Sequence, residues 1–157
     1  MGYYLRAFCT SEDLPPLGRV LEWAAAQGVS LALEGSSPGT LDSAGWREAE
    51  LRYQPGRQPL VVDVSRAGDG HGLLAEEVEE FTGLLGEVAA SAGTRKVLAH
   101  LRASRAIVAA QLLSDVDDDG YDAVGVFLGF FVEHCGGMVQ ADAEGFYEGG
   151  QLIVELA

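Results

Sequence analysis

The sequence predicts a single α+β domain, and three observations lead to that prediction. The chain has 157 residues, which is enough for one sizeable hydrophobic core and favours one domain over two. Its composition, 48% apolar and 22% charged, is typical of globular rather than disordered chains. Segments with helical periodicity are interspersed with short apolar or alternating segments that glycine and proline interrupt. We therefore expect one domain over residues 1–157.

The N-terminal region predicts a strand, a helix and a second strand. Residues 3–9 are rich in aromatic side chains, as strands are. Pro15 and Pro16 fit the first turn of a helix, because no intrahelical hydrogen bond needs their missing N–H groups. Gly28 is a natural end for this helix. Residues 29–33 then form the second predicted strand.

A hairpin is predicted next. Residues 46–53 alternate between apolar and charged side chains, which indicates a strand with one solvated face. Pro55 and Gly56 suit the centre of a type II turn. The more apolar residues 60–64 return as the second strand. Together with the opening strand-helix-strand unit, this hairpin suggests a ferredoxin-like β-α-β-β core.

The second half of the chain predicts three helices and a C-terminal hairpin. The helices are expected between Leu74 and Val88, over residues 95–113, and over residues 120–134. The third is apolar nearly all round, so we expect it to be the central buried helix. Residues 138–141 and 152–156 pair as the closing strands. The total is a largely antiparallel mixed sheet of about six strands, with three to four helices covering one face.

The charge of the chain is strongly acidic and uneven. The formal net charge is −14, which makes binding to a phosphate backbone unfavourable and excludes nucleic acid as an expected partner. Residues 1–66 carry 8 acidic and 6 basic side chains, whereas residues 67–157 carry 16 acidic and 4 basic ones. The acidic half predicts a face that docks a basic protein. The alternative is an ordinary solvated surface.

Cysteine content and hydropathy predict a cytoplasmic protein without a membrane partner. Cys9 and Cys135 form neither a disulfide framework nor a zinc-ligand set. The N-terminus lacks a basic region followed by an apolar core, so we expect no signal peptide. The longest apolar run, Ala123 to Val132, is too short to span a bilayer. A strand edge or the apolar third helix could instead be buried in a homo-oligomer.

One acidic loop resembles the first half of an EF-hand calcium loop. Its first, third and fifth positions are the acids Asp115, Asp117 and Asp119, and its sixth position is Gly120, as in a calcium loop. The resemblance ends there, because the twelfth position, which should be a bidentate Glu, is Val126. The loop therefore predicts weak calcium binding at most. Alternatively, it is a solvated linker in which Asp118 or Asp119 caps the next helix.

A second candidate site combines acidic and aromatic side chains near the C-terminus. Asp142 and Glu144 lie two residues apart on a predicted strand and would share a face. Paired carboxylates can perform acid–base chemistry or bind a cation, and Tyr147 could flank such a pocket. The alternative is a solvated strand end with a turn. The sequence shows no nucleotide-binding, metalloprotease or nucleophile motif, so we expect no cofactor.

Three functional hypotheses follow from these patterns. The leading one is a non-catalytic cytoplasmic binding or regulatory protein that presents its acidic half to a basic protein partner. The second is a small enzyme that uses Asp142, Glu144 and Tyr147. The third is a calcium-binding protein with low affinity that uses the loop from Asp115 to Gly120.

Overall fold

A computed structural model describes residues 3–35 and 38–156 of the chain. The strands are β1 (Tyr3–Cys9), β2 (Ala32–Glu34), β3 (Glu48–Arg52), β4 (Leu60–Arg66), β5 (Ala106–Leu112), β6 (Gly137–Ala141), β7 (Gly145–Glu148) and β8 (Gln151–Glu155). The helices are α1 (Leu17–Ala26), α2 (Leu73–Leu85), α3 (Ala92–Ala103) and α4 (Asp118–His134), with a 3-10 helix at Pro38–Leu41. None of the helices in this described part combines the length and apolarity that a membrane crossing requires.

The strands form one sheet in the order β2-β3-β4-β5-β1-β6-β7-β8. Every neighbouring pair in it is antiparallel. The α+β class is thus confirmed, but the described residues contain eight strands rather than about six. The ferredoxin-like core is not confirmed, because β2 lies at the sheet edge and three strands separate it from β1.

The predicted helix over residues 95–113 is wrong in its second half. Helix α3 ends at Ala103. Ser104 has an extended backbone (φ −69°, ψ 134°), so the chain leaves the helix there. Strand β5 then runs through the middle of the sheet and pairs with both β1 and β4. Six of its seven residues are buried, because helices cover both faces of the sheet at this strand. A strand buried on both faces shows no alternation, so its apolar run can be mistaken for helix.

Helices pack on both faces of the sheet, not on one as expected. Helices α1 and α4 cover one face, where the inward side chains of β1 include Ala7 and Cys9. Helices α2 and α3 cover the other face, where Phe8 packs with Phe81 and Phe146. The molecule therefore has three layers and two hydrophobic cores, one on each side of the sheet.

Helix α4 is buried on one flank only. Phe127 and Phe131 are fully enclosed, whereas Tyr121 and Val132 are 46% and 39% exposed. The expectation that α4 is the central helix, buried all round, is therefore wrong. It is an outer-layer helix with a broad apolar stripe that packs against the sheet and α1.

Candidate functional site

A polar row crosses the sheet on the side that faces α2. The strand registers place Glu48 opposite Asp63, Asp63 opposite Ala109, Ala109 opposite Arg6, and Arg6 opposite Gln140. Residues paired in this way point to the same face of a sheet. Ala109 is the smallest side chain of the row, so the sheet surface is lowest between Asp63 and Arg6.

Three cavities lie end to end between this row and α2. A cavity of about 350 Å³ lies over Ala109 and shares Arg6 with a cavity of about 430 Å³ beside Asp142. It shares Asp63 and Leu73 with a third cavity of about 470 Å³, which reaches β3. We call these joined cavities the α2 groove. Its floor is the sheet, and one of its walls is helix α2.

Arg6 organises the centre of the α2 groove. Its Nη1 donates to Gln140 Oε1 at 2.7 Å and to Asp142 Oδ1 at 2.8 Å, and its Nε lies 3.1 Å from Glu77 Oε2. Its guanidinium carbon also lies 5.4 Å from the centre of the Phe81 ring. Two carboxylates and an aromatic face thus hold this largely buried guanidinium in place.

Acidic side chains outnumber basic ones along the groove. The carboxylates that line it are Glu48, Asp63, Glu77, Glu80, Glu87, Asp142 and Glu155. The guanidinium groups are Arg6 and Arg47. Arg6 is already engaged by two carboxylates, and Arg47 contacts His71. The groove therefore presents an excess of negative charge to any ligand.

Two of the groove carboxyls are held partly out of water. Burial raises the pKa of Asp63 above its ordinary value, and Arg6 offsets only part of this effect. Burial likewise raises the pKa of Glu77. The negative charge of Glu80 raises this pKa further, whereas the positive charge of Arg6 lowers it. Within the described residues, no hydrogen bond or ion pair satisfies the Asp63 carboxylate. A cationic ligand would relieve this cost of desolvation.

The acidic and aromatic residues of the second candidate site separate in the structure. Asp142 joins the α2 groove, where it also accepts from the backbone N–H of Tyr4 at 3.2 Å. Glu144 instead accepts from the hydroxyls of Tyr3 and Tyr147. Residues 142–144 form a turn between β6 and β7, so the expectation that Asp142 and Glu144 share a strand face is wrong.

Glu144 and its two tyrosines form an exposed cluster. The hydrogen bonds from Tyr147 and Tyr3 lower the pKa of Glu144. The bond to Glu144 raises the pKa of Tyr147, while burial and this carboxylate raise the pKa of Tyr3. Each group is therefore held in the protonation state that it has at neutral pH. This arrangement suits a structural link between β1 and β7 better than proton transfer.

The loop from Asp115 to Gly120 is tied to the β3–β4 turn. Asp117, rather than Asp118 or Asp119, caps α4, since its Oδ1 accepts from Gly120 N at 3.0 Å. Arg57 lies 3.4 Å from Asp117 Oδ2 and donates to the backbone oxygen of Asp115. Across residues 3–35 and 38–156, no group of three or more Asp, Glu, His or Cys side chains is placed to hold a metal ion.

Among the charged residues of the groove, sequence reasoning identified only Asp142 as a candidate, and it missed Arg6, Asp63 and Glu77 at the centre. The sequence offers a signal for Asp63, because an acidic residue in the otherwise apolar run 60–64 of a predicted strand is unusual and can mark a functional site. Arg6 is likewise a charge within a strand otherwise rich in apolar and aromatic side chains. Their proximity was not predictable, because it depends on the pairing of β5 with both β1 and β4.

Comparison with known proteins adds no relative from which a function could be transferred. No protein-family model, curated protein or solved structure matches the chain.

Proposed function

We propose that the protein is a non-catalytic binding protein whose α2 groove accepts a basic segment of a partner protein. The observation that carries this proposal is the line of seven carboxylates along three joined cavities, opposed by two guanidinium groups. A groove lined by one sign of charge between low-dielectric walls concentrates counter-ions of the opposite sign. The proposal assigns the acidic docking face that the sequence predicts to this groove.

The mixed lining of the groove favours lysine and arginine side chains over small cations. Between the acids lie apolar residues of α2, including the exposed Leu73 and Leu84. Long basic side chains can lay their methylene stems on such surface while their charged ends meet carboxylates. The cavities follow one another along the helix, as an extended chain segment requires.

The pairing of Arg6 and the lack of a partner for Asp63 among the described residues also favour a basic partner protein. Because Glu77 and Asp142 already engage Arg6, this guanidinium repels an incoming cation less than an unpaired one would. Asp63 has a raised pKa and no partner among the described residues. A lysine or arginine of the partner would pair with Asp63, and the ion pair would offset the cost of its burial.

We place this binding in the cytoplasm, where the two buried thiols of Cys9 and Cys135 stay reduced. Self-association through the edge strand β8 or the exposed flank of α4 is a separate prediction, which sedimentation velocity over a range of concentrations tests. A homodimer formed through the exposed flank of α4, on the opposite face of the sheet, would leave the α2 groove free, whereas one formed through β8 would lie next to Glu155 at the end of the groove.

Catalysis in the same groove is the second candidate function. The observation that favours it is a pair of carboxyls with raised pKa, Asp63 and Glu77, that line one cavity together with Arg6. Such perturbed groups cluster at active sites, although structural ion-pair networks show them too. Mass spectrometry of bound basic peptides after incubation separates the two functions, since a change in peptide mass requires catalysis.

Fluorescence anisotropy with labelled peptides tests the binding proposal. We expect an extended Lys/Arg-rich peptide to bind and a peptide of the same length with glutamates in place of the basic residues not to bind. The affinity should fall steeply as salt is raised, because screening weakens the attraction. Affinity for the basic peptide that is absent, or that does not change with salt, would refute the proposal.

A further inference from the structure

An apolar cavity larger than any of the three that form the α2 groove lies outside that groove and shares no residue with it. It has a volume of about 500 Å³ and lies where β1 ends and β6 begins, next to the β7–β8 turn. Val132, Met138 and Val139 supply its apolar walls with the ring of Tyr147. This volume is within the range of sites that hold small organic molecules.

Glycines keep this cavity open. Gly136 has a φ of +64°, and a Cβ on it would lie 2.1 Å from Thr10 Oγ1. Gly149 and Gly150 form the β7–β8 turn with φ of +56° and +80°. A larger side chain is therefore disfavoured by backbone geometry at these positions, and the space beside them stays empty.

The charged and phenolic groups at the rim are already paired. The carboxylate of Glu148 forms an ion pair with Lys96, and the hydroxyl of Tyr147 donates to Glu144. The cavity therefore has no unpaired charge to offer a ligand, so a neutral molecule fits it better than an ion.

His100 provides a polar atom for recognition. Its Nε2 lies 2.6 Å from the carbonyl oxygen of Phe8, and because that oxygen only accepts, Nε2 carries the proton. In the neutral ring, Nδ1 is then a hydrogen-bond acceptor, and His100 is one of the residues that line the cavity. A ligand with one N–H or O–H group can donate to Nδ1 while its apolar body contacts Val132 and Met138.

We propose that this cavity binds a small, neutral, largely apolar molecule, of one or two rings, that donates one hydrogen bond to His100. This site is independent of the α2 groove and of the basic partner. Binding here would be governed by shape and one polar contact rather than by charge, so it would change little with salt.

Indole and benzofuran form a matched pair of probes, because they have the same shape and only indole carries an N–H donor. Two-dimensional NMR at mildly alkaline pH should show indole shifting backbone signals around His100 and Met138. We expect indole to bind about fivefold more tightly than benzofuran, the effect of one hydrogen bond. The variant His100→Phe should remove that preference.

A cavity-filling substitution tests the proposal independently of whether the His100 variant folds. Val132→Trp adds a large side chain at a position that is 39% exposed and lines the cavity, and it should abolish indole binding. Leu84→Trp, at a position 40% exposed on α2 and outside the cavity, is the control and should bind indole like the wild type. No indole shifts at millimolar concentration, shifts elsewhere, or shifts that Val132→Trp leaves unchanged would each overturn the proposal.

Discussion

Arg6 and Asp63 lie in one row of the sheet on either side of Ala109, whose methyl group leaves the floor open between them. Two strand spacings, about 10 Å, separate their backbones. Arg6 turns to Glu77 and Asp142, at 3.1 and 2.8 Å, rather than to Asp63. The opposite charges of this row are thus not paired with each other, and Asp63 forms no ion pair within the described residues.

Asp63 should reduce the stability of the free protein. Its folded-state pKa is raised, so the folded protein holds the proton more tightly than the unfolded chain does. Stability is therefore lost as pH rises from the ordinary value of 3.8 through the folded-state pKa. Asp63→Asn should be more stable than the wild type at neutral pH by roughly a few tenths of a kcal/mol, since water screens this half-exposed group.

Urea unfolding at several pH values measures this difference. The gain from Asp63→Asn should vanish at acidic pH, where both states of the wild type are protonated. Glu133→Gln, an exposed change on α4, is the control and should differ from the wild type by less than about 0.5 kcal/mol. A loss of stability in Asp63→Asn at neutral pH would contradict the assignment of an unpaired carboxylate.

Removing Arg6 should weaken the fold and strengthen binding. In Arg6→Met the carboxylates of Glu77 and Asp142 lose their cation, so we expect a destabilisation of about 1–3 kcal/mol that shrinks in acid. The groove also becomes more negative. A basic peptide should therefore bind the folded variant a few-fold more tightly, as peptide anisotropy can measure; weaker binding would place Arg6 in contact with the partner.

Gly93 should be intolerant of a side chain although it lies in a helix. A Cβ on Gly93 would lie 2.4 Å from the backbone oxygen of Ile153, where α3 packs against β8. Gly93→Ala should cost about 1–3 kcal/mol despite the better helix propensity of alanine. Gly83→Ala, in α2 with no atom within 4 Å, should instead stabilise by up to about 1 kcal/mol. Thermal unfolding of the two variants should give shifts of opposite sign.

Asp117 should contribute to stability through the cap of α4 in the absence of any metal. Asp117→Ala removes the acceptor for Gly120 N and the ion pair with Arg57, so we expect a loss of about 1–2 kcal/mol in EDTA. Asp119→Ala, exposed in the first turn, should lose only about 0.3–1 kcal/mol. A wild-type Tm that rises in millimolar calcium would support the calcium hypothesis.

The sequence predicted strands that pack one face against a core, and it missed β5, which is buried on both faces, and the short strand β7. The alternation of residues 48–52 identified β3 correctly, since its charged side chains face solvent. The run 106–112 carried no alternation because β5 is covered on both sides, so it was assigned to a helix. With β5 missing, the sheet order could not be inferred.

The candidate site was predictable in its charge but not in its geometry. An acidic second half indicated a docking face, and Asp142 was identified as a candidate. Asp142 and Glu144 were expected to act together, but the turn that joins β6 to β7 directs them to different partners. The contact between Arg6 and Asp142 spans 136 residues and depends on register, which a sequence does not display.

The most direct test of the groove is a comparison of two charge-neutralising double variants. Glu80→Gln with Glu87→Gln removes two exposed carboxylates of the α2 groove, and Asp122→Asn with Glu133→Gln removes two exposed ones from α4. Both changes alter the net charge equally. With a labelled Lys/Arg-rich peptide near physiological salt, the groove variant should bind about three- to tenfold more weakly, and the α4 variant should change less than about twofold. Equal losses in the two variants would show attraction to the overall charge, and no loss in the groove variant would contradict binding at the α2 groove.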